Sequence, residues 1–110
     1  MIKIVFKFKS KVWIWPGLAT WYMVTLPIEQ SRKIKQLFGN LHRGWRSLPA
    51  VVSIGPTSPR LRRASKTKWK TSVFFDSKQK AYILPLKALV RKQENIKAGD
   101  VLSFSIEITP

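Results

Sequence analysis

Between Arg60 and Lys70 stand six cations: Arg60, Arg62, Arg63, Lys66, Lys68 and Lys70. A second row, Lys3, Lys7, Lys9 and Lys11, marks the start of the chain. Cations at these spacings are suited to a phosphate backbone, where binding is driven by counterion release and weakens steeply with salt. Aromatic residues interleave with cations at two places, Trp45 between Arg43 and Arg46 and Trp69 between Lys68 and Lys70. Rings exposed there could stack on unpaired bases. The bland reading is that lysines simply solvate strand faces, and that Trp13, Trp15, Trp21 and Trp69 fill or close a core. What raises nucleic acid above it is the total: 21 Lys and Arg against 5 Asp and Glu in 110 residues, a formal charge of +16.

Groups for other chemistry are few. Glu29 falls in the first turn of an expected helix, where the dipole favours a carboxylate. Asp76 and Asp100 read as turn residues, Glu107 as a solvent-facing strand position, and Glu94 as the end of a basic helix. No two acids have a spacing that marks a general acid and its base. His42, the single histidine, sits at a helix end, where it can meet free carbonyls. There is no cysteine, no nucleophile elbow and no phosphate-binding glycine loop, so no catalytic residue, metal site or cofactor is expected. Leu61-Arg62-Arg63-Ala64-Ser65 resembles a basophilic kinase site, where a phosphate on Ser65 would be captured by its own arginines.

These residues must be positioned by strands. Ile2, Ile4, Phe6 and Phe8 alternate with lysines, which gives a half-buried strand that Val12–Trp15 continues to the Pro16-Gly17 turn. Trp21–Leu26 forms a second strand and Pro27 opens a helix, with Ile34, Leu37, Phe38 and Leu41 on one face and Gly39-Asn40 as its stop. Ala50–Ile54 is a short apolar strand. In the next one Lys66, Lys68 and Lys70 face opposite to Thr67, Trp69, Thr71 and Val73. A polar turn at Asp76–Lys80 makes a hairpin with Ala81–Leu84. Pro85 begins a second helix through Asn95, and the final strand points Leu102, Phe104, Ile106 and Ile108 inward. The Leu26-Pro27 and Leu84-Pro85 pairs repeat 58 positions apart (84 − 26 = 58), which fits two similar halves.

The expected fold is therefore mainly β: one small pseudo-symmetric β-barrel of about six strands with two short helices, spanning 1–110. A basic loop insertion occupies 56–65. The uncharged run Val12–Ile28 is broken by Pro16-Gly17 and is too short for a membrane span, so a soluble, unprocessed, cytoplasmic protein is expected, with its oligomeric state left open.

Several segments resemble a bacterial family known as domain of unknown function 1905. They are Trp13-Ile14-Trp15-Pro16-Gly17, Trp21-Tyr22-Met23-Val24-Thr25-Leu26-Pro27, Gly44-Trp45-Arg46-Ser47-Leu48-Pro49 with Val52-Ser53-Ile54-Gly55, Trp69-Lys70-Thr71-Ser72-Val73-Phe74, and Tyr82-Ile83-Leu84-Pro85-Leu86-Lys87 followed by Ala98-Gly99-Asp100. The resemblance implies a small β-barrel with two short helices and no assigned activity, in a family whose members sometimes adjoin a bacteriocin-protection module. The stretch from Leu84 to Val101 is also similar to the swapped-hairpin barrels of AbrB-type regulators. The basic 56–65 loop departs from the family pattern.

The functional expectation is a non-enzymatic binding domain that engages nucleic acid, or another polyanion, through Lys7, Lys9, Arg43, Trp45, Arg46 and the Arg60–Lys70 cluster. One alternative is a protein or anionic-membrane adaptor in a bacterial stress response, which requires tryptophans exposed in a patch. The other is a small-molecule-binding barrel, which a deep pocket around Trp21, Tyr22, His42 and Trp45 would favour.

Overall fold

Alternation decides which side of each strand is dry. In the computed structural model, which describes residues 4–17, 21–55 and 68–110, the first strand, β1 (Val5–Lys11), buries Phe6 and Phe8 and exposes Val5, Lys7, Lys9 and Lys11. Val12 is buried and β2 (Trp13–Trp15) follows at once. Next come β3 (Trp21–Thr25), α1 (Ile28–Phe38), β4 (Ser47–Ile54), β5 (Lys68–Asp76), β6 (Ala81–Leu86), α2 (Ala88–Glu94) and β7 (Val101–Ile108). Their antiparallel ladders form one sheet in the order β1-β7-β4-β5-β6-β3-β2.

The two ends of that sheet are consecutive in sequence, parted by Val12 alone. Val12 N–H donates to Asp100 O and Val12 O accepts from Gly99 N, both at 2.8 Å, while Ser10 Oγ donates to Thr25 O across the seam. Thus β1 and β2 act as one bent strand whose first part pairs with β7 and second with β3. The sheet curls on itself, and counting the bent strand once gives the six strands expected. Its inner rows (Phe6, Phe8, Leu48, Val52, Val73, Tyr82, Leu84, Phe104 and Ile106 among them) make a single core.

The halves are related by topology. Replacing β1/β2 by β5, β3 by β6 and β4 by β7 carries the strand order onto itself. The two ladders that pair symmetry-related strands, β3 with β6 and β4 with β7, each contain a pair separated by the same 58 positions as the Leu-Pro repeat: Thr25 opposite Ile83, and Ala50 opposite Ile108. A two-fold axis requires equivalent residues to face each other in this way.

Two expectations need correction. Pro85 does not open the second helix; it lies inside β6, opposite Met23, and α2 begins at Ala88. The strand wins because Leu84 and Leu86 flank Pro85 on the buried side, which a helix would not preserve. In α1, Ile34 is buried and Phe38 packs on the core, but Leu37 and Leu41 are exposed. The stripe that meets the sheet runs instead through Ser31, whose buried Oγ accepts a hydrogen bond from Tyr82 N at 3.0 Å. Leu41 falls beyond the helix, in a 3-10 turn (Gly39–Leu41). The helix α2 is stopped at Asn95, which takes the left-handed conformation (φ 52°, ψ 47°) that ends helices, and Arg91 lies 4.0 Å over the ring of Tyr22.

Candidate nucleic-acid interface

Residues opposite one another in an antiparallel ladder share a face, so register shows which outer side chains meet. Lys7 faces Ser105, Ser105 faces Ser53, and Ser53 faces Lys68, a single outward row across β1, β7, β4 and β5. The next row runs Val5, Glu107, Val51 and Lys70, and Lys9 stands opposite Ser103. Lys7, Lys9, Lys68 and Lys70 are all exposed. Three strand spacings separate the two basic strands, roughly 14 Å, with Ser105 and Ser53 between in one row and Glu107 and Val51 in the next. Both basic strands therefore share the outer side. Because that side is the outside of the curl, they make a convex band. Arg60, Arg62, Arg63, Lys66 and Ser65, with the 56–65 loop, lie outside the described residues.

The remaining part of the outer face is aromatic. Trp15 pairs with Trp21 and Trp13 with Met23, while Phe74 stands opposite Ile83. All of these but Trp13 contribute to a cleft of about 740 Å3 walled by Trp15, Trp21, Trp45, Phe74, Phe75 and Asp76 and floored by Met23 and Ile83. Trp15 is 41% and Trp21 55% exposed, so these two do not fill the core. Continuing the β1 alternation through buried Val12 assigns Trp13 and Trp15 to the outer side, a signal present in the sequence. Trp69 takes the opposite role. It is partly buried against the core, with its Nε1 buried and unpartnered, so it does not offer a ring to a ligand.

Trp45 is the most conspicuous wall of the cleft, at 91% exposed. It stands on a short projecting tip, a 3-10 turn (Gly44–Arg46) closed at its base by Arg43 N–H to Ser47 O (2.8 Å) and Ser47 N–H to Arg43 O (3.3 Å). Ser47 Oγ also donates to Gly44 O at 2.7 Å. Trp45 (φ 62°) and Arg46 (φ 53°) are both left-handed, a conformation that costs a non-glycine residue roughly 1–2 kcal/mol.

Arg46 reaches a second pocket, of about 440 Å3, between α1 and the Ser77–Lys80 turn. Its cations are Arg32 and Lys35 from one face of α1, Arg46 from the tip, and Lys78 and Lys80 from the turn. None of the described residues lining it is acidic. It shares Phe75 and Ser77 with the aromatic cleft, and Lys35 Nζ sits 4.3 Å from the Phe75 ring centroid. Sequence reasoning did not find this pocket, since Arg32 and Lys35 meet Lys78 and Lys80 only through the packing of α1 on β6.

Asp76, Asp100, His42 and Tyr82 are engaged structurally. Asp76, which lines the cleft, accepts from Lys78 N and Gln79 Nε2, both at 2.9 Å, and Asp100 accepts from Lys97 N at 2.8 Å, as turn residues do. His42 Nε2 and the Tyr82 hydroxyl share a 2.6 Å hydrogen bond. Burial, then the nearby charges of Lys35 and Arg46, hold the His42 pKa below its usual value, and burial pushes Tyr82 up to about 12. Trp21 and Trp45 thus line one cavity, whereas Tyr22 packs on the core and His42 on Tyr82. Among the described residues no helix is long and apolar enough to cross a membrane, and no three His, Asp or Glu gather as metal ligands.

No curated protein matches the chain. With residues 8–106, nearly its whole length, matching that family, the chain belongs to the family described as domain of unknown function DUF1905.

Proposed function

We propose that this domain is a non-enzymatic binding module for single-stranded nucleic acid, with bases in the tryptophan cleft and phosphates on the surrounding cations. The observation that carries this reading is Trp45: a large ring held in water by a strained backbone, opposite Trp15 and Trp21. Such an arrangement opposes stability and suits stacking. β5 supports a continuous path, because its outward row runs from Lys68 and Lys70 through Ser72 to Phe74 in the cleft wall. Flanking charge then favours a polyanion over a neutral ligand.

The test is the affinity of Trp45→Ala and Trp21→Ala for single-stranded oligonucleotides. Each should lose about 1–3 kcal/mol of binding, the usual worth of one stacked base. Replacing Arg60, Arg62 and Arg63 by Ser should weaken binding further if the basic cluster takes phosphates. Unchanged affinity in both tryptophan variants would sink the reading.

An anionic membrane is a second reading, and the exposure of Trp45 favours it. Adding anionic vesicles would then blue-shift the tryptophan emission and carry the protein into the vesicle pellet. A spectrum and sedimentation unaffected by vesicles would remove it.

A further inference from the structure

The pocket between α1 and the Ser77–Lys80 turn has a composition that stacking does not explain. Five cations from three separate elements converge on about 440 Å3, with no described carboxylate on its walls. Mutual repulsion opposes this arrangement, so an anion entering the pocket would relieve it. A phosphodiester carries one negative charge and continues in two directions, which suits the open band of Lys7 and Lys68. A phosphate monoester carries close to two charges and three acceptor oxygens, and it ends a chain. The half-open pocket, approached by cations from three sides, matches the monoester.

What lies next to it specifies the rest of the ligand. The Gly44–Arg46 tip sends Trp45 to the aromatic cleft and Arg46 to the cationic pocket, and Phe75 and Ser77 belong to both. We infer that cleft and pocket together form a site for a terminal nucleotide, its base among Trp15, Trp21 and Trp45 and its terminal phosphate monoester among Arg32, Lys35, Arg46, Lys78 and Lys80. This deepens the single-strand reading and rests on it: the domain would recognise the phosphorylated end of a strand.

The experiment uses the full chain and oligothymidylates of about ten nucleotides bearing a 5′-phosphate, a 3′-phosphate or neither. One phosphorylated end should bind about tenfold tighter or more than the unphosphorylated strand, the equivalent of a single charge-assisted hydrogen bond. The exposed pair Arg32→Gln and Lys35→Gln should erase that advantage, while the unphosphorylated strand loses affinity by a smaller factor, as removal of any two cations costs. Equal affinity for all three strands would overturn the inference while leaving the single-strand reading in place.

Adenosine 5′-monophosphate, adenosine and O-phosphoserine complete the test through quenching of tryptophan fluorescence or calorimetry. Binding of the monophosphate over the nucleoside, with no oligonucleotide bound, would sink the single-strand reading and with it the recognition of a strand's end, leaving a site for a free nucleotide. Phosphoserine binding as tightly as the monophosphate would show that charge alone is read, and would overturn the assignment of a nucleotide.

Discussion

A bulky side chain in the left-handed region, left almost wholly in water, contributes little to stability, so its placement has to be explained by what it meets. Trp45 is such a side chain, and glycine is free of the steric penalty its backbone incurs. Trp45→Gly should leave stability unchanged or raise it by up to about 1 kcal/mol, after the extra chain entropy of glycine is counted, while weakening oligonucleotide binding. Urea unfolding beside an affinity titration reads both effects, and a variant that loses stability and binding together would assign Trp45 a structural role. His42 is the other residue whose environment predicts a measurement. Its folded pKa lies below the usual 6.5, so the unfolded chain takes up a proton first as pH falls. The stabilising contribution is therefore whole above pH 6.5 and declines below it, towards the folded pKa. His42→Gln should flatten that part of the stability–pH curve, and an unaltered slope would show that other groups set it.

The elements divide into those whose sequence periodicity matched their neighbours and those whose position depended on the partner. β1 and β7 alternate cleanly, so their inner faces could be read directly, and a turn of charged and polar residues marked the β5–β6 hairpin. The cluster around Arg43, Trp45 and Arg46 was also legible from aromatic and cationic residues standing together. The helices were less so. Four apolar residues in and after α1 pointed to one core stripe, yet the helix rotates to place Ser31 against β6 because Tyr82 N needs an acceptor there. Ser31→Ala should accordingly destabilise the fold by about 1–3 kcal/mol by leaving a buried N–H unpaired, seen as a lowered urea midpoint. No change in midpoint would mean that Tyr82 N finds another partner. Burial of the tryptophans was misjudged for a related reason: composition makes every Trp a core candidate, and only the register through Val12 separates outward Trp15 from inward-packed Trp69. The cationic pocket was beyond sequence altogether, because it joins residues more than forty positions apart, from Arg32 to Lys78, through tertiary packing.

Across the whole molecule, a curled sheet with pseudo-two-fold topology presents a lysine–serine band on one part of its outer side and an aromatic cleft on another, and β5 contributes to both. Band and cleft should act on different observables. Lys68→Gln with Lys70→Gln removes two phosphate contacts and should reduce the slope of log K against log salt by about 1.4, while tryptophan variants lower affinity at every salt concentration with the slope retained. A slope insensitive to both lysines would remove the band from the account. The most direct test of the central claim is the affinity of the purified protein for single- and double-stranded oligonucleotides of one sequence across a salt series. Single strands should bind more tightly at physiological salt, and Trp45→Ala should abolish that preference. Binding confined to low salt, with no preference between the two forms, would reduce the charge to nonspecific adhesion and contradict the account.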